Sequence, residues 1–186
     1  MVLILASASP RRAELLRNAG ITFTAQATRI PERRRGGESP KRFAERLARE
    51  KARAIFKRNP RRAVLGADTI VLVRSKVLGK PRDRRDARRM LRLLSGRTHQ
   101  VTTAVCLAGP GFEDTRSETT RVTMRKLSEQ EIRDYVASAE PRDKAGAYAI
   151  QGLASRFVSR IEGCYFYVVG RPVPLVYRML RARGCL

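Results

Sequence analysis

The 186 residues include no tryptophan, one histidine and three cysteines, and each shortage removes a class of chemistry. His99 stands alone at the start of a strand-like segment, so neither a Ser-His-Asp nor a Cys-His arrangement has support, and a structural role is its ordinary reading. Cys106, Cys164 and Cys185 are odd in number and far apart. That fits neither a disulfide framework nor a zinc ribbon and suits a reducing cytoplasm. Without a zinc pattern, a metal would be held by oxygen, as suits Mg²⁺ or Mn²⁺ beside a phosphorylated substrate. The five tyrosines and six phenylalanines are scattered, with no aromatic cluster of the kind an RNA-binding sheet carries. There is no G-x-x-x-x-G-K-[ST] loop, no G-x-G-x-x-G after a strand, no internal repeat and no long linker. No stretch approaches the roughly 20 apolar residues of a membrane span. The apolar run at 2–6 lacks a basic leader and reads as a strand rather than a signal peptide.

Acids are scarce too: 17 Asp+Glu stand against 40 Lys+Arg, for a formal net charge of +23. Such a field attracts polyanions, from phosphate-bearing ligands to nucleic acid, and speaks to association rather than to fold. Residues 29–62 hold 14 basic and 4 acidic side chains threaded among apolar positions at helical spacing. Most of these charges read as a solvated helix face. An apolar content of 42% over this length can fill a core. No shift of composition divides the chain, so a single domain over 1–186 is expected.

Strand and helix patterns alternate. Residues 2–6 suit a buried strand, followed by Ser9 as N-cap, Pro10 at the first helical position, Leu15 and Leu16 facing inward and Gly20 as the stop. Ser39-Pro40 opens a second helix to about Lys57, with Phe43, Leu47, Ala48 and Ile55 on one side, and 63–73 reads as a long strand. A third helix over 83–94 closes at Ser95-Gly96. Two β-rich segments, 98–108 and 115–127, flank Gly109-Pro110-Gly111 as antiparallel neighbours. Ser128 with Glu131 makes a capping box for a fourth helix ending before Pro141. An irregular stretch, a strand at 165–169 and a last helix from about Pro172 complete the chain. The pattern predicts an α/β protein with a mixed sheet, its strand order open.

Three places carry chemistry. In Ser7-Ala8-Ser9-Pro10-Arg11-Arg12, two arginines in a first helical turn oppose the positive end of the helix dipole at about 0.3–1 kcal/mol each. A bound anion reverses that sign, and hydroxyls, helical N–H groups and guanidinium forks are what a phosphate chain needs. The alternative is a Pro-initiated helix with incidental basic residues. In Gly66-Ala67-Asp68-Thr69 a carboxylate interrupts a run of aliphatic strand residues, where burial is costly unless it is paired, metal-bound or hydrogen-bonded at a bulge. Lys51 lies between Leu47 and Ile55 on the apolar helix face, either snorkelling at its edge or facing a ligand. Lys80, in Gly79-Lys80-Pro81, follows a short hairpin and could reach the same anion, while Glu32 lies among arginines, where a surface ion pair is the default.

Together these motifs resemble the Maf family of nucleotide pyrophosphatases. The resemblance runs in order through Leu5-Ala6-Ser7-Ala8-Ser9-Pro10-Arg11-Arg12, Ala48-Arg49-Glu50-Lys51-Ala52, Gly66-Ala67-Asp68-Thr69, Gly79-Lys80-Pro81, Leu94-Ser95-Gly96 and Asp143-Lys144-Ala145-Gly146. It implies a Maf-like, ITPase-like fold: an elongated mixed β-sheet with flanking helices, two lobes around a deep cleft, and frequently a homodimer. It also implies hydrolysis of a nucleoside triphosphate between its α and β phosphates, with Mg²⁺ or Mn²⁺, as cytoplasmic house-cleaning of nucleotide pools. Ser7, Arg11, Arg12, Lys51 and Lys80 match positions that bind the phosphate chain, Lys80 counting with Asp68 as catalytic. Glu32 and Asp68 match the acidic positions used for metal binding and water activation. Ala147-Tyr148-Ala149-Ile150-Gln151-Gly152 is similar to the branch acting on dTTP and UTP, and Arg12, Thr69 and Gln151 match positions tied to that preference. The family often has two acids where this chain has Pro31-Glu32, which leaves Asp68 and Glu32 as the minimal pair. Two other readings stand beside it: the family's 7-methyl-GTP branch, and a basic nucleic-acid-binding module without catalysis.

Overall fold

The computed structural model describes residues 2–170 and 172–186. In chain order the elements are β1 (Leu3–Ala6), α1 (Pro10–Asn18), β2 (Phe23–Ala25), α2 (Pro40–Phe56), β3 (Val64–Val73), β4 (Lys76–Leu78), α3 (Arg84–Leu94), β5 (Thr98–Gly109), β6 (Phe112–Met124) and α4 (Glu129–Ala137). Single turns of 3₁₀ helix follow, then β7 (Val158–Glu162), α5 (Tyr165–Val168) and α6 (Val173–Ala182).

Local chemistry sets most of these boundaries. Proline occupies the start of α1 and α2, where a missing N–H costs nothing. The Ser39 hydroxyl accepts the Arg42 N–H at 3.3 Å, and the Asp83 carboxylate accepts that of Asp86 at 2.7 Å. Ser128 and Glu131 form the expected reciprocal capping box, at 3.2 and 2.9 Å. Ser9 is the N-cap of α1 by position, but its side chain makes no capping bond. The Ser9 carbonyl instead accepts the N–H groups of Arg12 at 3.1 Å and Ala13 at 3.3 Å. Leu16 is fully buried as expected, while Leu15 is half-buried.

The strands form one mixed sheet in the order β2-β1-β3-β5-β6-β7, with β4 also pairing β3. β1 runs parallel to both β2 and β3; β4 runs antiparallel to β3, and β7 antiparallel to β6. Pro110 and Gly111 alone separate β5 from β6, a connection too short for anything but an antiparallel pair. β6 begins at Phe112 and ends at Met124, earlier at both ends than the sequence pattern indicates. The expected strand at 165–169 is a short helix, and the last strand lies upstream at Val158–Glu162. The run Tyr165-Phe166-Tyr167-Val168 has strand-like composition, yet the ladder ends at Glu162: Gly163 takes φ +120°, and the Thr120 hydroxyl of β6 accepts the Cys164 N–H at 3.2 Å and donates to its carbonyl at 3.1 Å. Val158–Glu162 borders the sheet and is half-buried at most, so its polar residues hide the strand.

By internal contacts the chain falls into two compact units. One comprises Met1–Asp68, Thr103–Glu118 and Gly170–Leu186, the other Thr69–Thr102 and Thr119–Val169. In the first, Leu3, Ile4 and Leu5 of β1, Leu16 of α1, and Phe43, Leu47 and Ile55 of α2 are buried. In the second, Val71, Leu91, Leu94, Val122, Ile132, Tyr135 and Phe157 belong to one buried apolar cluster. Each fully buried aliphatic side chain contributes about 1.5–3 kcal/mol relative to exposure.

Candidate active site

Gly66 sets the geometry of the first unit's polar cluster. A Cβ at that position would sit 2.2 Å from the Ala48 carbonyl oxygen and 2.7 Å from the Ala52 nitrogen. β3 therefore lies directly on the backbone of α2, where the helix presents alanines on that side. The close approach puts Lys51, between those alanines, within reach of Asp68, two residues beyond the glycine. Lys51 Nζ meets Asp68 Oδ1 at 2.5 Å and Glu32 Oε1 at 2.7 Å.

Glu32 is brought in by a second anchor. Arg46, one turn earlier on α2, donates to Glu38 Oε1 at 2.7 Å and Oε2 at 2.9 Å, to Glu50 at 3.1 Å and to the Arg33 carbonyl at 2.9 Å. Its hydrogen bonds hold the Glu38 carboxyl down at about 2. The segment after Glu32 is thus fastened at Arg33 and Glu38 to the helix that carries Lys51.

α1 supplies the other cation. The Arg12 guanidinium, half-buried, donates through Nη1 to the Ala67 carbonyl beside Asp68. Burial lowers its affinity for the proton, while the charges of Asp68 and Glu32 oppose that shift. The Asp68 side chain is only 8% exposed. Burial drives its pKa up from the usual carboxylate value, and Lys51 and Arg12 pull against that shift. Two cations and two carboxylates accordingly converge around the middle of β3. Ser7 stands half-buried between β1 and α1, its hydroxyl accepting the Ser9 N–H at 3.2 Å. Arg11 is half-buried in the first turn of α1.

Of the sequence-predicted site residues, the structure brings together Arg12, Glu32, Lys51 and Asp68. Lys51 neither snorkels nor stands open; it bridges the two acids. Glu32 forms the ion pair expected by default, and its partner is Lys51 of α2. Thr69, Lys80 and Gln151 belong to the second unit. There the Gly79 carbonyl accepts the Gly146 N–H at 3.0 Å, tying the loop of exposed Lys80 to Asp143-Lys144-Ala145-Gly146. Gln151 is exposed in a turn. His99 is 2% exposed and shares a 2.7 Å hydrogen bond with the Tyr148 hydroxyl, as befits a structural residue. Sequence reasoning missed Arg46 as the fastener of the Glu32 segment. Its signal is spacing alone, since Arg46 and Glu50 stand at i and i+4.

The sequence profile of the Maf-like protein family matches residues 2–183. The chain is 56% identical over 186 residues to the dTTP/UTP pyrophosphatase of Koribacter versatilis (strain Ellin345), covering 100% of this chain and 96% of that one. It is 51% identical over 179 residues to the dTTP/UTP pyrophosphatase of Escherichia coli (strain K12), covering 96% and 91% respectively. The structure of the Staphylococcus aureus Ham1 protein superposes with a TM-score of 0.57 at 13% identity, covering 98% of this chain and 100% of that one, a likeness of fold.

Proposed function

We propose that this chain, which belongs to the Maf-like protein family, is a nucleoside triphosphate pyrophosphatase that hydrolyses dTTP and UTP to monophosphate and pyrophosphate. The observation that carries this reading to the residues is the cluster of Arg12, Glu32, Lys51 and Asp68, with Arg11 in the first turn of α1 and Ser7 in the loop before it.

The donor set fits a hard divalent cation. Two carboxylates already meet on one cationic nitrogen, with no thiolate or imidazole among them. Among the described residues no three His, Cys, Asp or Glu side chains gather into a metal site. Asp68 and Glu32 would therefore hold Mg²⁺ or Mn²⁺ with phosphate oxygens and water completing the shell. Such an ion supplies charge neutralisation along the phosphate chain and a lowered pKa for bound water. Asp68, whose buried carboxyl holds a proton more readily than an exposed one, takes the proton from the attacking water. Arg11, Arg12, Lys51 and Lys80 stabilise the charge that grows on the departing pyrophosphate, and Ser7 binds a phosphate oxygen. Thr69 and Gln151, with Arg12, read the nucleotide. Attack at the α rather than the γ phosphorus rests on the family.

A panel of triphosphates with Mg²⁺ or Mn²⁺, resolving pyrophosphate from orthophosphate, tests the proposal. dTTP and UTP are cleaved faster than ATP or GTP, with pyrophosphate as first product and activity lost on chelation. Orthophosphate as sole first product overturns the α-attack assignment, and preference for 7-methyl-GTP moves the chain to the sister branch. Among the described residues no helix is long and apolar enough to cross a membrane. A cytoplasmic setting and a homodimer follow from the family resemblance, and sedimentation velocity tests the dimer.

A further inference from the structure

We propose that Tyr135 and Glu140, far from the phosphate-handling cluster in sequence, are positioning residues that set pyrimidine preference by bracing the turn that carries Gln151. The proposal rests on the reading of Gln151 as a base-contacting residue.

The turn is held at two points, each two residues from Gln151. On one side the Ala149 N–H donates to the Tyr135 hydroxyl at 3.1 Å; on the other the Leu153 N–H donates to Glu140 Oε2 at 3.0 Å. The two anchors are themselves joined, because the Tyr135 hydroxyl donates to Glu140 Oε1 at 2.7 Å. One carboxylate and one phenol thus connect both flanks of an exposed glutamine to α4, whose Tyr135 is fully buried and stacked edge-on against Phe157 at 5.3 Å.

Gly152 belongs to the same device. A Cβ there would lie 2.1 Å from Glu140 Oε2 and 2.7 Å from Oε1, so the carboxylate occupies the space a side chain would take. The turn also buries Ala149, Ile150 and Ala154, but apolar packing is non-directional, and the hydrogen bonds to Tyr135 and Glu140 supply the direction it lacks. A glutamine side chain can discriminate between bases only if its backbone is fixed, since hydrogen bonds weaken steeply as distance and angle stray. None of these groups belongs to the phosphate-handling cluster. Their effect should therefore fall on base selection and leave phosphate affinity alone.

The test uses full-length protein bearing Tyr135→Phe or Glu140→Gln, with Gln151→Ala as the reference. In the two brace variants the ratio of kcat/KM for dTTP over GTP falls roughly tenfold, the scale of one lost or misplaced hydrogen bond, mainly through a higher KM for dTTP. The Ki of inorganic tripolyphosphate, which has no base to read, stays within about twofold in each folded variant. Amide exchange at Ala149 and Leu153 speeds up in both brace variants. The double variant loses little more discrimination than either single one, as for two parts of one unit. If Gln151→Ala lowers the ratio while folded Tyr135→Phe and Glu140→Gln keep it, the brace is overturned and the reading of Gln151 stands. If Gln151→Ala also keeps the ratio, the reading beneath the proposal fails. Should Tyr135→Phe not fold, Glu140→Gln, which keeps the size of the side chain, decides the matter by itself.

Discussion

A carboxylate inside an aliphatic strand faces two opposed energies, loss of water and gain of a counter-charge. At Asp68 the first is larger, since burial raises its pKa despite Lys51 and Arg12. Asp68→Asn should therefore lower turnover by roughly 10² or more, as for loss of a positioned base. Its melting temperature should stay level or rise, because the removed charge was disfavoured and Lys51 keeps Glu32 at 2.7 Å. Turnover and melting on one preparation check this; normal turnover in the folded variant would defeat the proposed role. His99 offers a pH signature in the second unit. Burial depresses its pKa from 6.5 to about 4. Above pH 6.5 both folded and unfolded forms carry a neutral ring. Between 6.5 and 4 the unfolded chain binds the proton first, so stability falls with pH by up to about 3 kcal/mol and levels off below 4. His99→Gln, which can still hydrogen-bond Tyr148 but does not titrate, should flatten that part of the curve in urea melts at stepped pH.

At the level of elements, the decisive contact is β3 laid upon α2. Gly66→Ala would drive a methyl group into helix backbone, which cannot yield as a flexible side chain would. The expected cost is on the order of 3 kcal/mol, the upper end of overpacking effects. Activity per folded molecule should also fall, because separating the two elements separates Lys51 from Asp68. Denaturant unfolding together with the rate of the folded fraction checks both; a normal midpoint would show that the elements can part cheaply. The edge of the sheet illustrates the reverse case, in which composition misleads. Tyr165–Val168 has the residues of a strand and forms a helical turn, while Val158–Glu162, with Ser159, Arg160 and Glu162, pairs with β6 through a register shift at Thr123/Met124. Edge strands tolerate polar residues because only part of their surface meets the core.

Across the whole molecule the 40 Lys+Arg charges are only partly met by local pairing with the 17 Asp+Glu, which leaves the net charge of +23. Arg46 with Glu38 and Glu50, Arg53 with Glu113, Arg92 with Glu129 and Arg125 with Glu131 use acids that are too few to answer every arginine. Lys41, Arg42, Lys57 and Arg58 of the α2 region stand exposed, as the sequence pattern indicates for a solvated face. The uncompensated field draws a triphosphate in from solution, and salt screens that long-range part more than short contacts at the site. Raising monovalent salt from about 0.05 to about 0.5 M should lift KM for dTTP several-fold and leave kcat nearly unchanged. A fall in kcat at constant KM would instead place the effect on the bound complex. Nothing in the structure explains why arginine is so strongly favoured at these surface positions.

Some of this was determined by the sequence alone. The helix starts at Pro10, Ser39-Pro40, Asp83 and Ser128 were legible because capping and proline geometry are decided by neighbours a few residues away. Leu16 and the apolar face of α2 were legible because burial follows helical period. Asp68 was conspicuous for a similar reason, as one charge in an aliphatic run. The Maf-like motifs singled out Ser7, Arg11, Arg12, Lys51, Asp68 and Lys80 in order along the chain. What only the tertiary structure decided involves partners far apart in sequence: Lys51 bridging Glu32 and Asp68, Arg46 holding the segment behind Glu32, and Tyr135 with Glu140 bracing the turn at Gln151. These contacts depend on how closely one backbone can approach another. That distance is set by packing around small residues such as Gly66 and Gly152. A sequence read by local period and propensity registers such a glycine but not the atoms that will lie against it.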